Sequence, residues 1–347
     1  MTATKTTEAE MRQMAAAPAL LDIEHLRIDL PGRGRGDSMR RVIHDVSLSV
    51  APGASVGLVG ESGSGKSMTT KAVMGLLPKG AKVSGAVRFR GEDVSTYDRK
   101  RWTAYRSHDA SMIHQDPRSY TNPLVRMGDF LIESVVATRQ MTRDEARDKA
   151  CALLREVGIA DAARRMEQYP HELSGGLLQR MMIVMALMPS PSLVLADEPT
   201  TALDPTVQSE VVAILSEQIR ERSVGLLFIT HDLDLAAAIN DSLAVMYAGV
   251  IVEKGPSSAL VAHPRHPYTA GLLRSRPRLD EVEELRAIPG RPLSAFEAGK
   301  GCVFASRCEF ATDRCREERP ELIEAGGRSV ACHRADELSD VLVGGSA

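Results

Sequence analysis

The chain has 347 residues, 43% hydrophobic and 26% charged, with 27 Gly and 18 Pro. That length accommodates two or three structural units, and the apolar content with ordinary Gly and Pro usage excludes collagen-like, mucin-like and wholly disordered chains. A formal charge of −3 supplies no global positive field, so no nucleic-acid partner is expected.

Residues 1–20 carry Lys5, Glu8, Glu10 and Arg12 before a brief Ala-rich run. They read as a flexible tail, because a secretory signal needs a basic start and a longer apolar stretch. The longest apolar runs, Met181–Met188 and Val224–Ile229, fall far short of the about 18–20 residues of a membrane span. The expectation is a cytosolic chain, in which cysteines serve as metal ligands, reactive groups or core rather than disulfides.

From Leu21 to Val50 short alternating runs, interrupted by the Gly- and Arg-rich Pro31–Gly36, predict antiparallel strands at a sheet edge. Beyond Ser55 the regime changes. Val56–Val59, Leu193–Ala196, Gly225–Ile229 and Leu243–Met246 read as strands buried on both faces, with helical stretches between them, the pattern of an α/β fold with parallel strands. Residues 120–190 are helical by period and read as an inserted α-helical subdomain. From His263 onward apolar periodicity fades into a small appended unit.

Gly60-Glu61-Ser62-Gly63-Ser64-Gly65-Lys66-Ser67 fits G-x-x-x-x-G-K-[ST] between a predicted strand and a helical run. Its glycines let successive amides turn inward around a phosphate chain, at a helix N-terminus that favours anions. Lys66 is the candidate for the β- and γ-phosphates and Ser67 for Mg²⁺, with Thr69 behind them as a further nucleotide-site residue. Ser192–Glu198 is an apolar strand ending in two carboxylates. Asp197 is placed for the metal shell and Glu198 for the attacking water. No guanine-reading N-K-x-D appears.

Leu173-Ser174-Gly175-Gly176 opens another helical run and forms a second anion-binding start. A second nest beside one phosphate loop suggests a composite site completed by another subunit. With Gln115, Asp197-Glu198, Thr201-Ala202-Leu203-Asp204 and His231, the order of motifs resembles the ATP-binding cassette (ABC) ATPases over residues 21–262. The resemblance implies a P-loop NTPase fold with a mixed sheet, antiparallel edge strands and an inserted helical subdomain. It implies that Gln115 touches Mg²⁺ and the attacking water, and that Ser174, Gly175 and Gly176 close over ATP on the opposite subunit. It further implies that Asp204 contacts the partner across a dimer and that His231 contacts the γ-phosphate.

Ile113-His114-Gln115-Asp116-Pro117, His263-Pro264-Arg265-His266-Pro267-Tyr268-Thr269 and the tail with Cys302, Cys308, Cys315 and Cys332 resemble the dipeptide/oligopeptide/nickel importer branch. That resemblance implies an ATPase at the cytoplasmic face of the inner membrane, paired with a second homologous ATPase, two permeases and an extracytoplasmic solute-binding protein. It also implies a [4Fe-4S] cluster on the tail cysteines. Their spacing of 5, 6 and 16 residues lacks a C-x-x-C knuckle and leaves Zn²⁺ or four reduced, partly buried thiols open. A tail poor in apolar residues needs a staple, which favours a ligated metal.

Other readings fare worse. Soluble ABC-type ATPases acting on ribosomes or DNA usually carry two cassettes or a long coiled coil, and this chain has neither. A non-hydrolysing regulatory cassette is at odds with Lys66, Asp197, Glu198 and His231 together. Three departures from the pattern stand out. No aromatic lies near Leu30, leaving Leu30, Ile43 or His44 for the base; Leu177 replaces the usual glutamine after Gly176; and His114 stands where an aromatic is commoner.

Overall fold

A computed structural model describes residues 19–32, 38–201, 203–275 and 287–343. The expected flexible tail therefore lies almost wholly outside the described residues, as do the centre of the Pro31–Gly36 tip and Ala202. The strands are β1 (Leu21–Leu30), β2 (Arg40–Val50), β3 (Ser55–Val59), β4 (Lys82–Phe89), β5 (Glu92–Asp93), β6 (Ala110–Ile113), β7 (Leu193–Asp197), β8 (Gly225–Thr230), β9 (Ser242–Tyr247) and β10 (Val250–Pro256), followed by the short β11 (Ile323–Ala325) and β12 (Arg328–Val330). The chain forms two compact units. Among the described residues, one gathers those within 19–22, 49–55 and 88–227, the other those within 23–48, 56–87 and 228–343.

In the first unit β6 and β7 pair in parallel, Ala110 opposite Leu193 through Ile113 opposite Ala196. Every residue of both strands is buried, which is why they read as unbroken apolar runs rather than alternation. Parallel neighbours need a long crossover. Helices Met127–Ala137, Arg143–Glu156, Ala162–Met166 and Gly175–Leu187 supply it. The second of them starts on a full capping box, Thr142 with Glu145.

In the second unit β9 pairs in parallel with β3 and antiparallel with β10. The opposite edge of β10 takes β2 in parallel at Val250 and β12 antiparallel at Glu253 and Lys254. The sheet is thus mixed, and a strand from the C-terminal region joins it. The core of this unit draws Val59, Val245, Tyr247 and Val252 together with Tyr268, Val303 and Phe304. Among the described residues no helix is long and apolar enough to cross a membrane.

Candidate nucleotide and cysteine sites

In the second unit the phosphate loop leaves β3 and enters helix Lys66–Val73. Gly60 passes so close to β9 that a Cβ there would stand 2.0 Å from the Met246 carbonyl oxygen. Gly63, at φ +80°, faces open space, where a Cβ would meet nothing within 4 Å. The loop is therefore held against β9 at Gly60 and open at Gly63. The Lys66 ammonium is buried and donates to the Gly60 and Glu61 carbonyls at 2.8 and 3.1 Å. Ser67 is half-buried and Ser62 exposed. Ser64 is buried, its hydroxyl without a hydrogen-bond partner, while its carbonyl accepts from the Gly249 amide at 2.8 Å. Thr69 is fully buried, and its hydroxyl donates back to the Gly65 carbonyl at 3.4 Å.

Glu61 behaves differently from its neighbours. Its amide donates to the Tyr268 hydroxyl at 2.9 Å, and its carboxylate accepts from Arg307. Sequence reasoning placed Glu61 in the nucleotide loop and missed both partners. They lie 207 and 246 residues away, a separation that no local spacing reveals. His231 is exposed, directly after β8, and Asp232 beside it caps the next helix through the Asp234 and Leu235 amides. The base-contact candidates are more enclosed: Ile43 is fully buried, and His44 is half-buried with Nε2 2.8 Å from the Ala295 carbonyl. Burial holds the His44 imidazole below its ordinary pKa.

In the first unit Asp197 ends β7, buried. Glu198 follows at φ +45°, a left-handed conformation unusual for a residue with a Cβ. Its carboxylate accepts from the Gln115 side-chain amide at 3.2 Å and from the Thr201 hydroxyl at 2.9 Å. The structure thus gathers Gln115 and Glu198, from sites 83 residues apart, into one polar cluster. Ser174 caps helix Gly175–Leu187 by accepting from the Leu177 amide, and Asp204 caps helix Pro205–Glu221 by accepting from the Val207 amide. The unusual His114 has a partner: its ring stacks on Tyr120, centroids 3.6 Å apart and planes 3° from parallel.

Cys302, Cys308, Cys315 and Cys332 all line one small cavity with Phe304 and Phe310. Its volume is about 20 Å³, room for one or two waters. Burial, with neighbouring thiols adding to it, pushes Cys302 up to about 11 and Cys308 up to about 12, and raises Cys332 as well. Among the described residues no group of three or more His, Cys, Asp or Glu is arranged to hold a metal ion. The fifth cysteine, Cys151, is half-buried with its sulfur 3.3 Å from that of Met166.

The ABC transporter family profile matches residues 43–201, and the C-terminal region of oligopeptide/dipeptide transporters matches residues 252–315. Among solved structures, the cassette MJ0796 in a dimeric post-hydrolysis state with ADP and Pi aligns at TM-score 0.60 and 22% identity, covering 68% of this chain and 98% of that one. The cbiO1 subunit of the Clostridium perfringens cbiONQ transporter aligns at TM-score 0.60 and 24% identity, covering 70% and 90%. The fold is that of the ABC cassettes.

Whole-chain relatives are more specific. The oligopeptide transport ATP-binding protein OppD of Salmonella typhimurium is 39% identical over 332 residues, covering 95% of this chain and 98% of OppD. The dipeptide transport ATP-binding protein DppD of Escherichia coli is 40% identical over 318 residues, covering 91% and 96%. The chain belongs to the ATP-binding subunits of oligopeptide and dipeptide ABC transporters.

Proposed function

We propose that this ATPase energises the import of peptides, or of a related small solute such as a nickel chelate. It does so from the cytoplasmic face of the inner membrane, through two permeases fed by an extracytoplasmic solute-binding protein. Its partner in the ATP-driven dimer is a second, homologous ATPase. Whole-length similarity to OppD and DppD supports the peptide reading. The observation that carries the chemistry is the Glu198 carboxylate, held by Gln115 and Thr201 at the end of an apolar strand.

In this reading Lys66 exchanges the Gly60 and Glu61 carbonyls for β- and γ-phosphate oxygens, and the loop amides from Gly60 to Ser67 line the phosphate chain. Ser67, Asp197 and Gln115 would hold Mg²⁺, which when bound would offset charge on the transferring phosphoryl group. Glu198 orients and deprotonates the attacking water, and His231 contacts the γ-phosphate. Ser174, Gly175, Gly176 and Asp204 face the nucleotide held by the partner ATPase. Binding two nucleotides then shifts an open–closed equilibrium, and hydrolysis resets it. In the assembled transporter, Glu198→Gln lowers turnover by about 100-fold or more while MgATP still binds. Unchanged turnover would remove Glu198 from this role.

The tail thiols form a second proposed site, taking a [4Fe-4S] cluster or Zn²⁺ through Cys302, Cys308, Cys315 and Cys332. Support comes from the donor set: four thiols line one cavity, and burial disfavours the Cys302, Cys308 and Cys332 thiolates until a cation offsets that cost. Among the described residues the thiols are not arranged around an ion, so either metal requires the cavity lining to rearrange on binding. Iron and zinc content with the visible absorbance of anaerobically purified protein separates the two. Absence of both metals removes the site.

A further inference from the structure

Glu61 puts a negative charge inside a loop whose task, in the reading above, is to receive polyphosphate. Its carboxylate is 24% exposed and faces a guanidinium that is only 4% exposed. Arg307 Nη1 lies 2.6 Å from Oε2 and Nη2 lies 3.3 Å from Oε1, a two-pronged grip. The same guanidinium cannot easily swing away. Its Nε donates to the Pro289 carbonyl at 2.8 Å, Nη2 to the Ile288 carbonyl at 3.2 Å, and Nη1 to the Tyr247 hydroxyl at 3.3 Å. The C-terminal region also holds the Glu61 backbone, since Tyr268 accepts from its amide. Tyr268 is fully buried against Tyr247 and Phe304, ring centroids 4.6 and 5.3 Å away.

We infer that Arg307 is a positioning residue for ATP binding: it neutralises Glu61 and fixes the phosphate loop from the C-terminal region. The inference rests on the ATP-binding reading of that loop. Lys66 explains why the charge matters. Its ammonium already donates to the Glu61 carbonyl, so an unclamped Glu61 carboxylate lies within a side chain's reach of the cation meant for phosphate. Released from Arg307, Glu61 competes with phosphate for Lys66 and repels the nucleotide. A salt bridge that merely tethered the C-terminal region would affect folding and leave nucleotide affinity alone.

The test measures MgATP dissociation constants on the purified full chain, with circular dichroism and thermal melts as fold controls. Lys66→Ala checks the underlying reading: if wild type binds no ATP, or binds it unchanged without Lys66, the site assignment fails independently of Arg307. Given Lys66-dependent binding, Arg307→Met weakens MgATP by about tenfold or more, the scale expected when a charged hydrogen-bonded pair loses one member. The double variant Arg307→Met/Glu61→Gln binds at least about fivefold more tightly than Arg307→Met, because the unpaired charge is gone while the other Arg307 contacts stay lost. Arg307→Lys, which keeps the charge without the fork, covers the case in which Arg307→Met does not fold, and weakens binding about threefold or more. Wild-type affinity in a folded Arg307→Met, or in Arg307→Lys where Arg307→Met is unfolded, overturns the inference. So does a double variant that binds no better than Arg307→Met.

Discussion

Gly60 and Gly63 stand three residues apart in one loop and are glycine for different physical reasons. At Gly60 the obstacle is the backbone of β9, where the Met246 carbonyl would lie 2.0 Å from a new Cβ. A strand held by pairing on both sides cannot retreat, since β9 lies between β3 and β10. At Gly63 there is no obstacle, only a φ of +80° that a side chain tolerates poorly. Gly63→Ala therefore costs about 1–2 kcal/mol, whereas Gly60→Ala costs about 3 kcal/mol or more because neither partner can give. Urea midpoints of the two full-length variants measure the difference, and equal losses would mean that β9 does not confine the loop. The motif spacing identifies both glycines and cannot distinguish them. Nor does it reveal that Glu198, a residue with a full side chain, occupies a left-handed conformation. Such strain is retained where surrounding contacts over-determine it, and here Gln115 and Thr201 hold the carboxylate.

At the scale of elements, β10 joins the C-terminal strand through a buried charge as well as through backbone pairing. Glu253 opposes Val330 in the ladder, and its fully buried carboxylate accepts from Arg328 at 2.8 Å. It also accepts from the Arg265 and His266 amides at 2.9 and 3.0 Å. One carboxylate thus gathers a strand, the stretch leading into helix Pro267–Arg274, and β12. Removing it leaves the half-buried Arg328 guanidinium with only the His263 carbonyl and strands two amides, so Glu253→Ala costs about 3–5 kcal/mol. Arg328→Met costs a comparable amount, and the double variant costs clearly less than the sum, since each single change already breaks the pair. Additive losses in a denaturant cycle would show that the two side chains act separately. The sequence signals β10 poorly, because Glu253 and Lys254 interrupt its apolar run. By contrast β7, β8 and β9 are plain, being mostly apolar, with polar residues only at their ends, and buried along almost their whole length.

At the scale of the whole molecule, the α/β class, the mixed sheet and the helical stretch between β6 and β7 were legible because local period and motif order encode them. The integration of the C-terminal region was not, because it depends on contacts between distant residues. Fading periodicity after His263 suggested an appendage. Yet Tyr268, Val303 and Phe304 share one core with Val59, Val245, Tyr247 and Val252, and β12 extends the pairing of β10. Three of the chain's thirteen aromatics, Tyr247, Tyr268 and Phe304, meet at this junction with centroids 4.6–5.3 Å apart. Rings of this size dominate the energetics of the cores they fill. A chain ending at Ala262 would expose Tyr247 and much of β10, leave Glu253 without Arg328, and strip the Glu61 amide and carboxylate of both partners. Each loss alone is a sizeable fraction of a domain's net stability. The truncated chain is therefore expected to aggregate on expression and to lack a cooperative thermal transition. A soluble fragment melting within about 5 °C of the full chain would show instead that the C-terminal region contributes less than about 2 kcal/mol to the unit it joins.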